Sequence, residues 1–179
     1  TENDIMLYRF DHREPVVGQN SYVSETAIVI GDVRIDHECY IGHGAIQRGD
    51  YGTIDIGQGT AVEEGTVVHA PPQQICRIGQ RVTIGHGAII HSQDIGDYAV
   101  IGMGAVISIQ VVIGARSIVG EGTVVPMAKK FPEDVVILGN PAKVMRVIRQ
   151  KAVEYWQWGK QLYVDLSKKY LQEGMHRVG

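Results

Sequence analysis

Over more than half of this 179-residue chain, every sixth residue is valine or isoleucine. The series runs Val17, Val23, Val29, Ile35, Ile41 and then Gln47. It resumes after three extra residues at Ile56, Val62 and Val68, and after four more at Ile78, Ile84 and Ile90. One residue is then dropped, and the frame continues through Ile95, Ile101, Ile107, Ile113, Val119 and Val125. Only Gln47 breaks the rule. The following residue is often glycine, as at Gly42, Gly57, Gly85 and Gly102, and the slot two before is small, as at Ala27, Cys39, Ala45 and Ala88. A period of six is no helix. It suits short strands that each point one apolar residue inward and end in a turn tolerant of positive φ. Such strands bury little alone, so they must stack on the next coil.

Three hexads close one 18-residue triangular coil, and the frame spells about six coils. The pattern resembles the hexapeptide-repeat left-handed β-helix, an all-β left-handed parallel β-helix. The left hand comes from that resemblance, because parallel crossovers are otherwise right-handed. Residues 1–16 read as a lead-in covering the first coil and 17–126 as the β-helix. Residues 127–143, with Pro132 and Asn140-Pro141, read as a crossing loop. Residues 144–179 read as a C-terminal α-helix and tail packed on the outside, with Ile148, Ala152, Tyr155, Trp156, Leu162, Leu166 and Tyr170 at helical spacing. Gly174 is its expected stop.

The net charge of −3 and the lack of a basic block argue against nucleic acid or an anionic membrane as partner. No stretch approaches the roughly 18 apolar residues of a membrane span. A cytoplasmic protein is the expectation, although the chain opens on Thr1 and a removed export signal stays open. Two cysteines make neither a disulfide framework nor a CxxC ribbon. Cys39 and Cys76 both fall in the small interior slot and read as core fillers.

The frame also places the polar residues. Gln47, Val68 and Ile90 begin hexads on one face in successive coils, so the residues after them, Arg48, His69 and His91, form one column. Adjacent coils lie about 4.8 Å apart, and two imidazoles at that separation can share an ion with bonds of about 2.0–2.1 Å. His86 belongs to the adjoining face, in a column with Glu64 and His43, more than roughly 10 Å from the pair. It closes the site only from a neighbour around a three-fold axis. The frame therefore predicts a homotrimer with three metals, each held by His69 and His91 of one chain and His86 of the next. The same docking brings Arg48 near Glu64 of the next chain. Three histidines leave a fourth position for water, whose pKa the ion lowers toward 7. His12, His37, His43 and His176 lack such a relation and read as solvated or packing residues. The two insertions, Arg48 to Gly52 and Ala70 to Gln74, leave the prism at this same column, where loops carry function.

These residues resemble the γ-class carbonic anhydrases and relatives labelled ferripyochelin-binding or phenylacetate-degradation proteins. The carrying motifs are Arg48-Gly49-Asp50, Ile56-Gly57 with His69, Ile84-Gly85-His86-Gly87 with His91, Gly102-Met103-Gly104 and Gly139-Asn140-Pro141-Ala142-Lys143. The resemblance implies a homotrimer with interface metal on His69, His86 and His91, and an organising role for Arg48 and Asp50. Glu63-Glu64 stands where the family has a Gln-Asp pair whose Gln orients the metal-bound hydroxide. Tyr51 and the acid-free loop after His69 match the subgroup without an acidic proton-shuttle loop, in which hydration is often weak. Tyr163 matches a tyrosine near the pocket.

The leading expectation is a metal-dependent lyase that interconverts carbon dioxide and bicarbonate by attack of metal-bound hydroxide. Glu63 positions the hydroxide or takes its proton, while Arg48, Asp50 and Glu64 set the interface. Zinc (Zn2+) is the default, and Fe2+ or Co2+ also suit three imidazoles. Two rivals stand beside it. One is a hexapeptide acyltransferase or acyl-CoA thioesterase using a single histidine base. The other is a trimeric scaffold with a structural or vestigial metal site.

Overall fold

A computed structural model describes residues 5–176 and Val178. Residues 1–4, Arg177 and Gly179, which include the start of the expected lead-in and two residues of the expected tail, lie outside the described residues. The hexads form a parallel β-solenoid with three faces. The first face stacks 28–31, 46–48, Val67–His69, Ile89–Ile90, Val106–Ile107 and Val124–Val125. The second stacks Val16–Val17, 33–35, 54–56, Ile75–Ile78, Asp94–Ile95, Val112–Ile113 and Lys130–Phe131. The third runs from Tyr22–Val23 through Tyr40–Ile41, Ala61–Val62, Thr83–Ile84, Val100–Ile101 and Ile118–Val119 to Val135–Leu138. Two long strands, Ile28–Ile35 and Ile46–Ile56, turn the corner and join the first face to the second.

The register explains the six-residue rule. In-register pairs such as Ile84 with Ile101 and Ile101 with Val119 stack the apolar residues into an interior column. Nearly all of that column is fully buried, including Ile41, Ile78, Ile84, Ile90, Ile95, Ile101 and Ile113. Each such side chain stabilises the fold by about 1.5–3 kcal/mol relative to exposure. Cys39 and Cys76 are fully buried in the same core, and burial raises their thiols to about 11 and about 12. Gln47 sits in this column at 0% exposure, paired in register with Val29 and Val68. On the second face an outward column alternates in sign, Arg34, Asp55, Arg77 and Asp94, each opposite the next.

Three expectations are corrected. The lead-in adds a rung rather than a cover, since Met6–Tyr8 pairs in parallel with 28–30. The repeat does not stop at Val125, and 127–143 is not a crossing loop. Phe131 and Ile137 keep the step of six from Val125, pair with Ile113 and Val119, and carry the stack through Val135–Leu138. The inward slot accepts the Phe131 ring, and Pro126 and Pro132 fall between strands, where no ladder bond is lost. The helix does not begin near Val144. Lys143–Val147 is an exposed strand antiparallel to Val135–Leu138, and the helix is Gln150–Glu173, closed by Gly174 at φ 72°. Its buried residues are Lys160, Val164 and Ser167, whereas Tyr155 and Leu162 from the expected inward stripe are exposed. The helix packs on the third face, where Tyr22, Tyr40 and Ala61 meet Tyr163, Leu166 and Tyr170.

Candidate metal centre

Val68 and Ile90 pair with their neighbours in the first face, so the residues that follow them project from one edge of the prism. Arg48 pairs directly with His69. The His69 and His91 rings lie with centroids 4.7 Å apart, and His69 Nδ1 and His91 Nε2 are separated by 3.1 Å. Arg48 Nη2 donates to His69 Nε2 at 3.0 Å, which leaves the proton on Nδ1 to be donated to His91. Asp50 stands 3.7 Å from His69 Nε2 and 3.8 Å from Arg48 Nε. Burial, followed by the Arg48 charge, holds both imidazoles below their ordinary pKa. Both are therefore neutral near pH 7, the form a metal ion requires.

These donors fit a metal. Two ligands of one tetrahedral ion with bonds of about 2.0–2.1 Å are separated by about 3.4 Å. The His69 and His91 nitrogens already stand near that span, held together by a single proton that an ion can replace.

His86 is held elsewhere. Its turn needs glycine on both sides for different reasons. A Cβ on Gly85 would lie 2.8 Å from the Met103 backbone nitrogen, and Gly87 adopts φ +67°. Glu64 Oε2 lies 2.8 Å from His86 Nδ1, and Glu63 Oε2 lies 3.1 Å from Nε2. Glu63 also accepts the His86 backbone N–H at 3.2 Å. Tyr40 in turn donates its hydroxyl to Glu64 Oε1 at 2.7 Å. Burial pushes the Glu64 carboxyl up, but the Tyr40 hydrogen bond, backbone donation and the His86 charge outweigh it and hold it below its usual range. Burial first, and then the Glu63 carboxylate, raise the Tyr163 hydroxyl above its usual range. A carboxylate on Nδ1 orients a histidine ligand, and Glu63 stands against the Nε2 that would meet an ion.

The site residues expected from sequence thus fall into two groups. Arg48, Asp50, His69 and His91 form one, and Glu63, Glu64, His86 and Tyr163 the other. Among the described residues no group of three His, Cys, Asp or Glu side chains within the one chain is arranged to hold a metal ion. Sequence reasoning missed Tyr40, the hydroxyl that anchors Glu64, and Lys160, buried on the helix face. The frame carried a signal for Tyr40, which stands beside Ile41 one coil before Glu63-Glu64. His43, read as a solvated or packing residue, bonds Ser24 Oγ at 2.6 Å and the Tyr170 hydroxyl at 3.3 Å.

No protein-family model matches the sequence. Gamma carbonic anhydrase 2, mitochondrial, from Arabidopsis thaliana is 34% identical over 167 residues, which are 90% of this chain and 60% of that protein. Carnitine operon protein CaiE from Proteus sp. (strain LE138) is 34% identical over 161 residues, covering 90% of this chain and 82% of CaiE. The chain belongs to the family of the carnitine operon protein CaiE. It spans about three fifths of the length of the plant γ-carbonic anhydrases to which it is similar. The family's fold extends to a hexapeptide transferase family protein from Anaplasma phagocytophilum, whose crystal structure superposes with a TM-score of 0.88 at 30% identity, over 93% of this chain and 98% of that one. No helix among the described residues is long and apolar enough to cross a membrane.

Proposed function

We propose that this protein is a metal-dependent carbonic anhydrase-like lyase, acting on carbon dioxide and bicarbonate at the interfaces of a homotrimer. The observation that carries the reading is the His69–His91 pair. It offers two neutral imidazoles at ligand separation, with His86 presented on a separate corner by two carboxylates. His69 and His91 of one subunit and His86 of its neighbour would hold the ion, zinc by default and iron or cobalt as alternatives. When bound, the ion would supply a Lewis acid that lowers the pKa of water toward 7.

The chain's own groups divide the remaining work. Arg48 fixes the His69 ring through Nε2, and Asp50 steadies the Arg48 guanidinium. Glu64 holds His86 from behind, with Tyr40 fixing Glu64. Glu63 Oε2, beside His86 Nε2, would yield that nitrogen to the ion and stand ready to take a proton from water. Tyr163 shields that carboxylate from the helix side. The carboxylates also repel bicarbonate, which points to slow turnover. An acyltransferase or thioesterase draws support from the hexapeptide transferase neighbour, but a transferase needs one base, not two neutral imidazoles sharing a proton.

The test is carbon dioxide hydration by stopped flow. The protein is loaded anaerobically with zinc, cobalt or iron, and the oligomer's mass and metal content are measured alongside. Metal-dependent turnover that His91→Ala removes supports the reading. Three ions per trimer with no turnover on any metal would refute it in favour of a scaffold or a different electrophile.

A further inference from the structure

Lys160 is a charged side chain with a missing partner. It is 4% exposed where the C-terminal helix meets the third face. Its Nζ donates to Thr83 Oγ1 at 3.2 Å and to the Ala99 carbonyl at 3.0 Å. An ammonium has three donors, and the third has no hydrogen-bond partner among the described residues. The Trp156 ring lies 5.9 Å from Nζ, at the outer edge of cation–π range. Burial, only partly opposed by the Glu63 charge, pulls the amine down to about 7. Lysines are almost never buried without a partner, and none of the proposed metal chemistry uses this one.

Lys160 lines a cavity of about 180 Å³ between helix and coils. Its apolar walls are Val100, Ile118, Ile148, Val153 and the Trp156 ring. Arg116 also lines it, but its guanidinium is already committed to Glu133 at 2.6 Å and Asp134 at 2.7 Å. Tyr98 and Gln157 line it as well, so the cavity combines apolar walls with the buried Lys160 amine and two neutral polar side chains.

The geometry points to a binding site at this cavity for a small monocarboxylate with an apolar body, its carboxylate on Lys160 Nζ and its body against Trp156, Ile118 and Val100. One buried amine in a largely apolar pocket suits one carboxylate better than a phosphate, which draws on forked guanidinium donors. The volume equals that of roughly six waters, below the span of a drug-sized ligand, so coenzymes are too large. The site shares no residue with His69, His86 or His91 and does not depend on the carbonic anhydrase reading.

The experiment titrates metal-loaded, full-length protein calorimetrically with benzoate and with benzamide, its neutral counterpart. One benzoate per chain is expected, with benzamide at least tenfold weaker. Lys160→Met should cost on the order of tenfold to a hundredfold and erase the difference between the two ligands. Ile118→Trp, which fills the cavity and leaves Lys160 and the histidines in place, should abolish binding. In the wild type, benzoate should shift the indole N–H resonance of Trp156 and not that of Trp158, a readout that does not depend on either variant folding. Equal affinity for benzoate and benzamide, benzoate binding that survives Ile118→Trp, or an unmoved Trp156 resonance would each overturn the assignment. So would an absence of binding at millimolar benzoate.

Discussion

Replacing Gln47 with methionine should make this protein more stable. Gln47 occupies the slot that the frame otherwise fills with Val or Ile. It is 0% exposed, and neither Nε2 nor Oε1 finds a hydrogen-bond partner among the described residues. Its register partners are Val29 and Val68, both fully buried. A buried amide without partners costs about 1–3 kcal/mol. Methionine keeps the length and flexibility of the side chain and brings a thioether that packs in apolar surroundings. The expected gain is therefore about 2 kcal/mol, which for a chain of this size raises the melting temperature by roughly 4–8 °C. Calorimetry of both proteins at one matched subunit concentration measures it, because an oligomer's melting point moves with concentration. An unchanged or lower melting point for Gln47→Met would mean that the amide is satisfied in solution, and the accounting would fail.

Lys160→Met should stabilise the fold by an amount that depends on pH. The folded amine is pulled to about 7 from an ordinary 10.5, so the penalty of the buried charge is full below about 7 and released as pH rises toward 10.5. The variant's advantage in urea unfolding should accordingly be a few kcal/mol at about pH 6 and fade by about pH 10. His69→Ala and His91→Ala should each abolish stoichiometric metal binding, read by elemental analysis after gel filtration. Glu64→Gln should weaken metal retention about 10- to 100-fold through its hold on His86, read by competition with a chelator. Gly31→Ala should lower stability by more than about 1 kcal/mol, since Gly31 has φ +77° and an added Cβ would lie 2.3 Å from the Gly49 carbonyl oxygen; a melting curve within error of the wild type would contradict it.

The solenoid was legible because its period is set by geometry that repeats. The inward residue of each short strand is the only one that must be apolar, so the spacing reports the coil directly. The same arithmetic placed Arg48, His69 and His91 in one column and His86 on another face. The arithmetic faltered where chemistry varied while geometry did not. Phe131 keeps the frame but is not Val or Ile, so the last coil passed for a loop. Residues Lys143–Val147, all exposed, show no polar–apolar alternation, and at five residues such a strand is hard to tell from the start of an amphipathic helix. Lys160 was illegible because a buried lysine looks like any solvated helix residue until the opposing face supplies Thr83 and Ala99 as acceptors. The Glu64–Tyr40 contact crosses between coils and depends on side-chain reach that a repeat frame does not encode.

The outward column of alternating charge has a consequence for how the chain finds its pairing. Interior Val and Ile residues are nearly interchangeable, so a coil that docked one turn out of place would bury almost the same surface. The column Arg34, Asp55, Arg77 and Asp94 does not tolerate that error. A slip of one coil sets Arg34 against Arg77 and Asp55 against Asp94, and like charges directly opposite one another destabilise a strand pair. The core makes the stack adhesive, and this outward row acts as a vernier, penalising each misaligned turn before it can propagate.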